Sequence, residues 1–120
     1  MAAKRDLAVS WMKLADCLMS VESIQRRTEA LGCFQKSSDI FAVLLAASPT
    51  SVQAATDSAV AYLRMSECAA ANQEEKVAAV NLSACYGILS QLDRARCLSD
   101  PKLIQLYRLM KSALSKDSNG

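Results

Sequence analysis

A segment of eleven residues occurs twice in this chain, about fifty positions apart. Residues 8–18 read AVSWMKLADCL and residues 59–69 read AVAYLRMSECA, and ten of the eleven aligned positions keep their chemical type. Repetition at such a spacing predicts stacked copies of one supersecondary unit. Stacks of this kind present extended surfaces that bind other molecules. The repeat therefore bears on both the architecture and the function of the protein.

The composition predicts that the repeated units are helical. Of the 120 residues, 52% are apolar, which is sufficient for one domain with a buried core. The chain has only three glycines and two prolines, and strand-rich folds depend on these residues for their turns. We therefore expect an all-α fold of five antiparallel helices, forming a single domain over residues 1–116 with a disordered tail over residues 117–120.

Apolar periodicity and helix-end signals place the five helices. The expected ranges are about 5–19, 23–47, 51–70, 73–97 and 101 onward. Pro49 should end the second helix, because the residue before a proline avoids the helical conformation. The hydroxyls of Thr50 and Ser51 can cap the third helix, and Asn72 with Glu75 resembles a capping box for the fourth. Asp100 and Pro101 should open the fifth.

The same periodicity predicts which side chains form the core. On the first helix, the expected buried face comprises Leu7, Trp11, Leu14, Ala15 and Leu18. The second helix contributes Ile24, Leu31, Phe34, Ile40, Phe41 and Leu44, and the third contributes Ala55, Ala59, Tyr62, Leu63 and Ser66. The last helix carries apolar residues on more than one face: Leu103, Ile104, Leu106, Tyr107, Leu109, Met110 and Leu114. Such a helix is buried on two sides or leaves an apolar strip for a partner.

Several classes of function are disfavoured by what the chain lacks. It has no histidine and no glycine-rich phosphate loop, so we expect no enzyme activity, no catalytic residue and no cofactor. The formal net charge is +2 and the bases are scattered, so no nucleic-acid partner is expected. The longest uncharged apolar run, Ile40–Ala47, is shorter than the ~20 residues of a membrane span, and no membrane insertion is expected.

The five cysteines, at positions 17, 33, 68, 85 and 97, form no CxxC pair. A zinc site would need four of them from separate helices, so we expect no metal site. Reduced thiols packed as small apolar side chains fit a cytoplasmic or nuclear protein. The alternative is a thiol-dependent enzyme or a metal-binding protein.

The second copy resembles a tetratricopeptide repeat, a helix–turn–helix unit of about 34 residues. Its match comprises Tyr62, Met65, Ser66, Ala78, Leu82 and Cys85 at the family's large, apolar and small positions. The first copy supplies Trp11, Leu14, Ala15, Leu18, Ala30, Phe34 and Ser37, with about three extra residues in its turn. The resemblance covers about residues 8–98, and neither copy has the family's closing proline. An antiparallel bundle such as the microtubule-interacting-and-transport domain would show similar spacings.

The resemblance implies a groove lined by the first helix of each copy, in which a helical or extended segment of a partner protein lies. The residues at these positions are Met12, Asp16, Met19, Leu63, Glu67 and Ala70. Family members that clamp a chaperone's C-terminal carboxylates use Lys and Asn here, so an apolar helix with a basic residue is the better ligand.

Two repeats are fewer than the three that such stacks generally need. Either the fifth helix caps the stack or another chain completes it. The sequence thus predicts a non-enzymatic adaptor or scaffold module, and the alternative is a structural bundle that self-associates.

Overall fold

A computed structural model describes residues 2–19 and 24–119 of the chain. Within these ranges the backbone forms five helices and no strand, which confirms the all-α class. The helices are α1 (Ala2–Met19), α2 (Ile24–Ala47), α3 (Val52–Ala71), α4 (Glu75–Arg94) and α5 (Pro101–Asn119). The expected break between the first two helices lies outside the described residues. Helix α5 includes residues 117–119, where a disordered tail was expected.

Short-range signals place three of the helix ends where the sequence predicts them. Helix α2 ends two residues before Pro49. The Ser51 hydroxyl accepts a hydrogen bond from the backbone N–H of Ala54 at 3.1 Å, which caps α3. The Asp100 carboxylate accepts hydrogen bonds from the backbone N–H groups of residues 102 and 103, at 2.9 and 3.3 Å, ahead of Pro101. Each cap satisfies N–H groups that have no partner inside their helix.

The predicted capping box at the start of α4 is wrong. Glu74 is the N-cap residue and makes no side-chain capping hydrogen bond, while Asn72 terminates α3. Between them, Gln73 adopts a left-handed backbone with a φ of 62°. The chain therefore reverses through a helix C-terminal turn of α3, and α4 begins at Glu75 without a capping side chain.

Three apolar clusters run through the stack and join consecutive helices. Two of them link α1, α2 and α3, and their buried members are Ala8, Phe41, Leu44 and Ala61 in one and Ala15, Ala30, Phe34, Met65 and Cys68 in the other. The third links α3, α4 and α5 through Ala55, Ala59, Cys85, Leu89, Leu92, Leu103 and Tyr107. Burial of each large side chain contributes about 1.5–3 kcal/mol. Helices α4 and α5 contact each other less extensively than the earlier pairs do.

Small residues and serine hydroxyls lie where the helices cross. The buried Ser37 hydroxyl of α2 donates to the backbone carbonyl of Ala8 in α1 at 2.9 Å. The Ser66 hydroxyl of α3 donates to the backbone carbonyl of Ala78 in α4, also at 2.9 Å. Each hydrogen bond joins two helices that are consecutive in the chain. The short side chains allow the close approach.

The buried face of α1 differs from the prediction. Leu7 and Leu14 are about half exposed, whereas Ala8 and Ala15 are fully buried. The apolar clusters that join α1 to α2 and α3 among the described residues include these alanines and neither of the two leucines. The two leucines therefore lie on the outer side of the stack. Leu82 on α4 and Leu109 on α5 are also exposed, and the exposure of Leu109 matches the alternative of an apolar strip on the last helix.

The second helix is apolar for most of its length. Residues Gln25–Ala47 are long and apolar enough to cross a membrane, with a mean hydropathy of 1.2 over the best window, and 39% of that window is buried inside the protein. A core helix of a soluble protein meets the same criterion, and Phe34, Phe41 and Leu44 place α2 at the centre of two of the clusters.

Candidate partner-binding surface

Helices α1 and α3, which carry the two copies of the repeated segment, are joined directly by an ion pair. The Arg5 guanidinium donates from Nε to Asp57 Oδ2 at 2.8 Å and from Nη2 to Asp57 Oδ1 at 3.4 Å. The hydrogen bond to Asp57, followed by the charge of Asp57, raises the pKa of Arg5. The pair links the early turns of the two helices. The predicted groove residues lie further along the same two helices, at positions 12–19 and 63–70.

A cavity of about 450 Å³ opens beside this ion pair. Its lining comes from the start of α1, the end of α2 and the start of α3: Arg5, Asp6, Leu44, Ser48, Ser51, Gln53, Ala54 and Asp57. The repeat does not point to these residues, because Arg5 and Asp57 precede the matched segments and occupy different repeat positions. Opposite charges 52 residues apart in the chain are the only signal, and many such pairs exist in any sequence.

The six residues predicted to bind a partner fall into two groups. Asp16, Glu67 and Ala70 are exposed. Met12 and Met19 are half-buried against the clusters that join α1, α2 and α3. Leu63 is half-buried against the cluster that joins α3, α4 and α5. The three larger apolar side chains therefore contribute to packing and present only part of their surface to solvent.

The two acids occupy equivalent positions in the two copies of the repeat. In the parts of the chain that the structure describes, the ion pairs are Arg5–Asp57 and Arg26–Glu29, so neither Asp16 nor Glu67 has a basic partner. At this repeat position, α1 and α3 thus each present one exposed carboxylate without an ion pair, and the exposed bases Lys13 and Arg64 precede the two acids by three residues.

The five cysteines differ in how deeply they are buried. Cys68 and Cys85 are buried and Cys33 and Cys97 are half-buried, as expected of thiols packed as small side chains, but Cys17 is exposed. Burial raises the pKa of the Cys85 thiol to about 11. Burial, and then the charge of Glu74, raise the pKa of Cys68. A raised pKa reduces the fraction of reactive thiolate at neutral pH.

No group of three or more potential metal ligands occurs within residues 2–19 and 24–119. Comparison of the chain with family models, with curated proteins and with solved structures finds no match. The class of protein is therefore defined by its fold, an all-α stack of five consecutive helices. The tetratricopeptide-like resemblance stays a prediction that rests on the residues that carry it.

Proposed function

We propose that this protein is a non-enzymatic adaptor or scaffold module that binds a helical or extended segment of a partner protein along α1 and α3. The observation that carries the proposal is the pair of exposed acids, Asp16 and Glu67, at equivalent positions of two helices that the Arg5–Asp57 ion pair holds together. A doubled acidic position whose carboxylates make no ion pair among the described residues suits a ligand that supplies the base.

The chemistry around the acids defines the ligand further. Met12 and Leu63 are partly exposed and lie one helical turn before Asp16 and Glu67. An amphipathic segment with an apolar stripe would cover these side chains, while a Lys or Arg at its edge would pair with a carboxylate. The flexible side chain of Met12 can adjust to an irregular partner surface. We therefore propose a basic, amphipathic ligand.

The contacts between helices support the tetratricopeptide-like reading of the groove. Ser66 and Ala78, which occupy two of the family's small positions, contact each other through the 2.9 Å hydrogen bond between α3 and α4. Ala15 and Ala30, the small residues of the first copy, are both fully buried in one cluster. These contacts are what a helix–turn–helix repeat needs at its crossing point.

A peptide-binding experiment with charge reversal tests the proposal. The probes are two fluorescent amphipathic peptides with the same leucine stripe, one carrying lysines at the stripe edge and the other glutamates. The basic peptide should bind in an anisotropy titration, and Asp16→Lys combined with Glu67→Lys should weaken it by more than tenfold. The same double variant should gain affinity for the acidic peptide.

The matched control is Asp93→Lys, which reverses an exposed acid on α4, a helix that carries none of the six predicted groove residues. It should leave the affinity for the basic peptide unchanged. Equal affinity of the wild-type protein for the two peptides, or an equal loss in the control, would show that these acids do not select the ligand.

The proposal also covers the cellular location of the protein and the role of its cysteine thiols. Five cysteines outside any disulfide suit the reducing conditions of the cytoplasm or nucleus. The raised pKa values of the buried Cys68 and Cys85 oppose a thiol-dependent role for these two cysteines. A protein partner, without nucleic acid or membrane insertion, remains the reading that the surface supports best.

A further inference from the structure

Helices α1 and α3 carry copies of one segment, but their outer faces differ in exposure. Leu7 and Leu14 of α1 are 52% and 46% exposed. Their counterparts on α3, Ser58 and Met65, are 2% and 3% exposed. The same helical face is thus open in the first copy and covered in the second.

The cover on α3 is helix α2. Phe34 of α2 shares a cluster with Met65, and Phe41 and Leu44 of α2 share another with Ala61. The fold therefore contains its own example of what packs on this face, namely a second helix of the repeat with bulky apolar residues at helical spacing.

Helix α4 is the other second helix of the repeat, and part of its corresponding face is open. When Ala30 is aligned with Ala78, Phe34 of α2 corresponds to Leu82 of α4. Phe34 is 1% exposed, whereas Leu82 is 37% exposed. Helix α5 packs on the later part of α4, where it buries Leu89, and leaves the first half with its apolar position uncovered.

We propose that the outer face of α1, defined by Leu7 and Leu14, docks on the first half of α4 in a second copy of this chain, and so reproduces the packing of α3 on α2 between two molecules. The two contact surfaces are different, so each copy can bind one neighbour at each end. Lys13, exposed beside Leu14, and Glu75, exposed at the start of α4, bring opposite charges to the contact. The net charge of +2 does little to oppose association.

This contact is independent of the peptide-binding surface. Leu14 and Asp16 are two residues apart on a helix, so their side chains diverge by ~200°. Leu14 variants therefore leave the proposed peptide surface intact, and Asp16 variants leave the proposed contact between copies intact. Failure of one proposal is distinguishable from failure of the other.

Sedimentation velocity over micromolar to millimolar concentrations tests the proposal. The weight-average mass of the wild-type protein should rise from the 13.0 kDa of one chain through dimers to longer species. Leu14→Glu and Leu82→Glu should each keep the protein monomeric, because one of the two contact surfaces is lost in every copy. Circular dichroism checks folding. Leu7→Glu replaces Leu14→Glu if that variant does not fold, and Ala79→Glu, at an exposed position three residues before Leu82, replaces Leu82→Glu.

A mixing experiment then separates a head-to-tail contact from a symmetric one. The Leu14→Glu variant keeps its α4 surface and the Leu82→Glu variant keeps its α1 surface, so an equimolar mixture should form a one-to-one dimer and nothing larger. The control Val43→Glu, at a side chain of α2 that is 56% exposed, should associate like the wild type. A wild-type protein that stays monomeric at millimolar concentration, association that survives Leu14→Glu, or a mixture that stays monomeric would each overturn the proposal.

Discussion

Ser66 and Ala78 join the two helices of the second repeat copy through a hydrogen bond in which the Ser66 hydroxyl donates to the Ala78 backbone carbonyl at 2.9 Å. Ser66 is buried, and Ala78 is half-buried with too little side chain to hold the helices apart. The pair shows why this position of α3 carries a small polar residue. A larger side chain would separate α3 from α4, and an apolar one would forgo the hydrogen bond.

Replacement of Ser66 by Ala should lower the free energy of unfolding by about 1 kcal/mol, the typical net contribution of a buried hydrogen bond. The helix propensity of Ala offsets a small part of the loss. Urea denaturation followed by circular dichroism measures the change. A variant as stable as the wild type would mean that the hydroxyl contributes nothing at this crossing.

Ser58, two turns earlier on the same helix, offers the opposite case. Its hydroxyl is buried and has no hydrogen-bond partner among the residues that the structure describes. Burial of an unsatisfied hydroxyl destabilises the folded state, so Ser58→Ala should raise the free energy of unfolding by about 1 kcal/mol. The same denaturation experiment, run on both variants, compares two Ser→Ala substitutions whose expected changes in the free energy of unfolding have opposite signs. A loss of stability on Ser58→Ala would contradict the absence of a partner.

Local signals in the sequence predict much of this fold. The end of α2 before Pro49 and the caps at Ser51 and Asp100 depend on a few consecutive residues, and all three are present in the structure. The capping box at Asn72 fails although its pattern is equally local. Glu75 could serve in such a box only if Asn72 began α4, and instead Asn72 terminates α3.

The sequence does not predict which face of α1 is buried or how exposed each candidate surface residue is, because both depend on which helices lie nearby. Periodicity marks Leu7 and Leu14 as a stripe, but α2 and α3 lie against the alanine face of α1. Asp16 and Glu67 are exposed, while Leu63, which the sequence places both in the core and in the groove, packs on the cluster shared with α4 and α5. Such contacts join residues that are distant in sequence and leave no local pattern.

The turn between α3 and α4 holds Gln73 in the left-handed region, with a φ of 62°. The backbone N–H of Gln73 donates to the carbonyl of Ala70 at 3.1 Å, and that of Glu74 donates to Ala69 at 2.8 Å. A side chain with a Cβ disfavours this conformation, and glycine does not. Gln73→Gly should therefore raise the free energy of unfolding by about 1 kcal/mol.

The matched control for this turn is Gln105→Gly, at an exposed position inside α5. There the same substitution should lower the free energy of unfolding by about 1 kcal/mol, because glycine disfavours a helical backbone. Thermal denaturation of the two variants measures whether each substitution raises or lowers the stability of the protein. Destabilisation by Gly at both positions would show that the left-handed turn imposes no strain on Gln73.

The buried Cys85 thiol gives the protein a pH dependence in the alkaline range. Burial raises the pKa of Cys85 in the folded state to about 11, above its usual value of 9.0. Between these values the unfolded chain releases the thiol proton while the folded chain retains it. Unfolding therefore releases protons, so the stability that this thiol contributes is complete below pH 9 and declines as the pH rises toward 11.

Cys85→Val, which keeps an apolar side chain of similar size, should remove this contribution. Compared with the variant, the wild-type protein should lose at most about 3 kcal/mol more stability between pH 9 and pH 11, since each unit of pKa shift corresponds to about 1.4 kcal/mol. Urea denaturation at a series of pH values measures the difference in slope, and the comparison cancels the titration of Cys68 and the lysines. Parallel slopes for the two proteins would show that the Cys85 thiol ionises in the folded state as readily as it does in the unfolded chain.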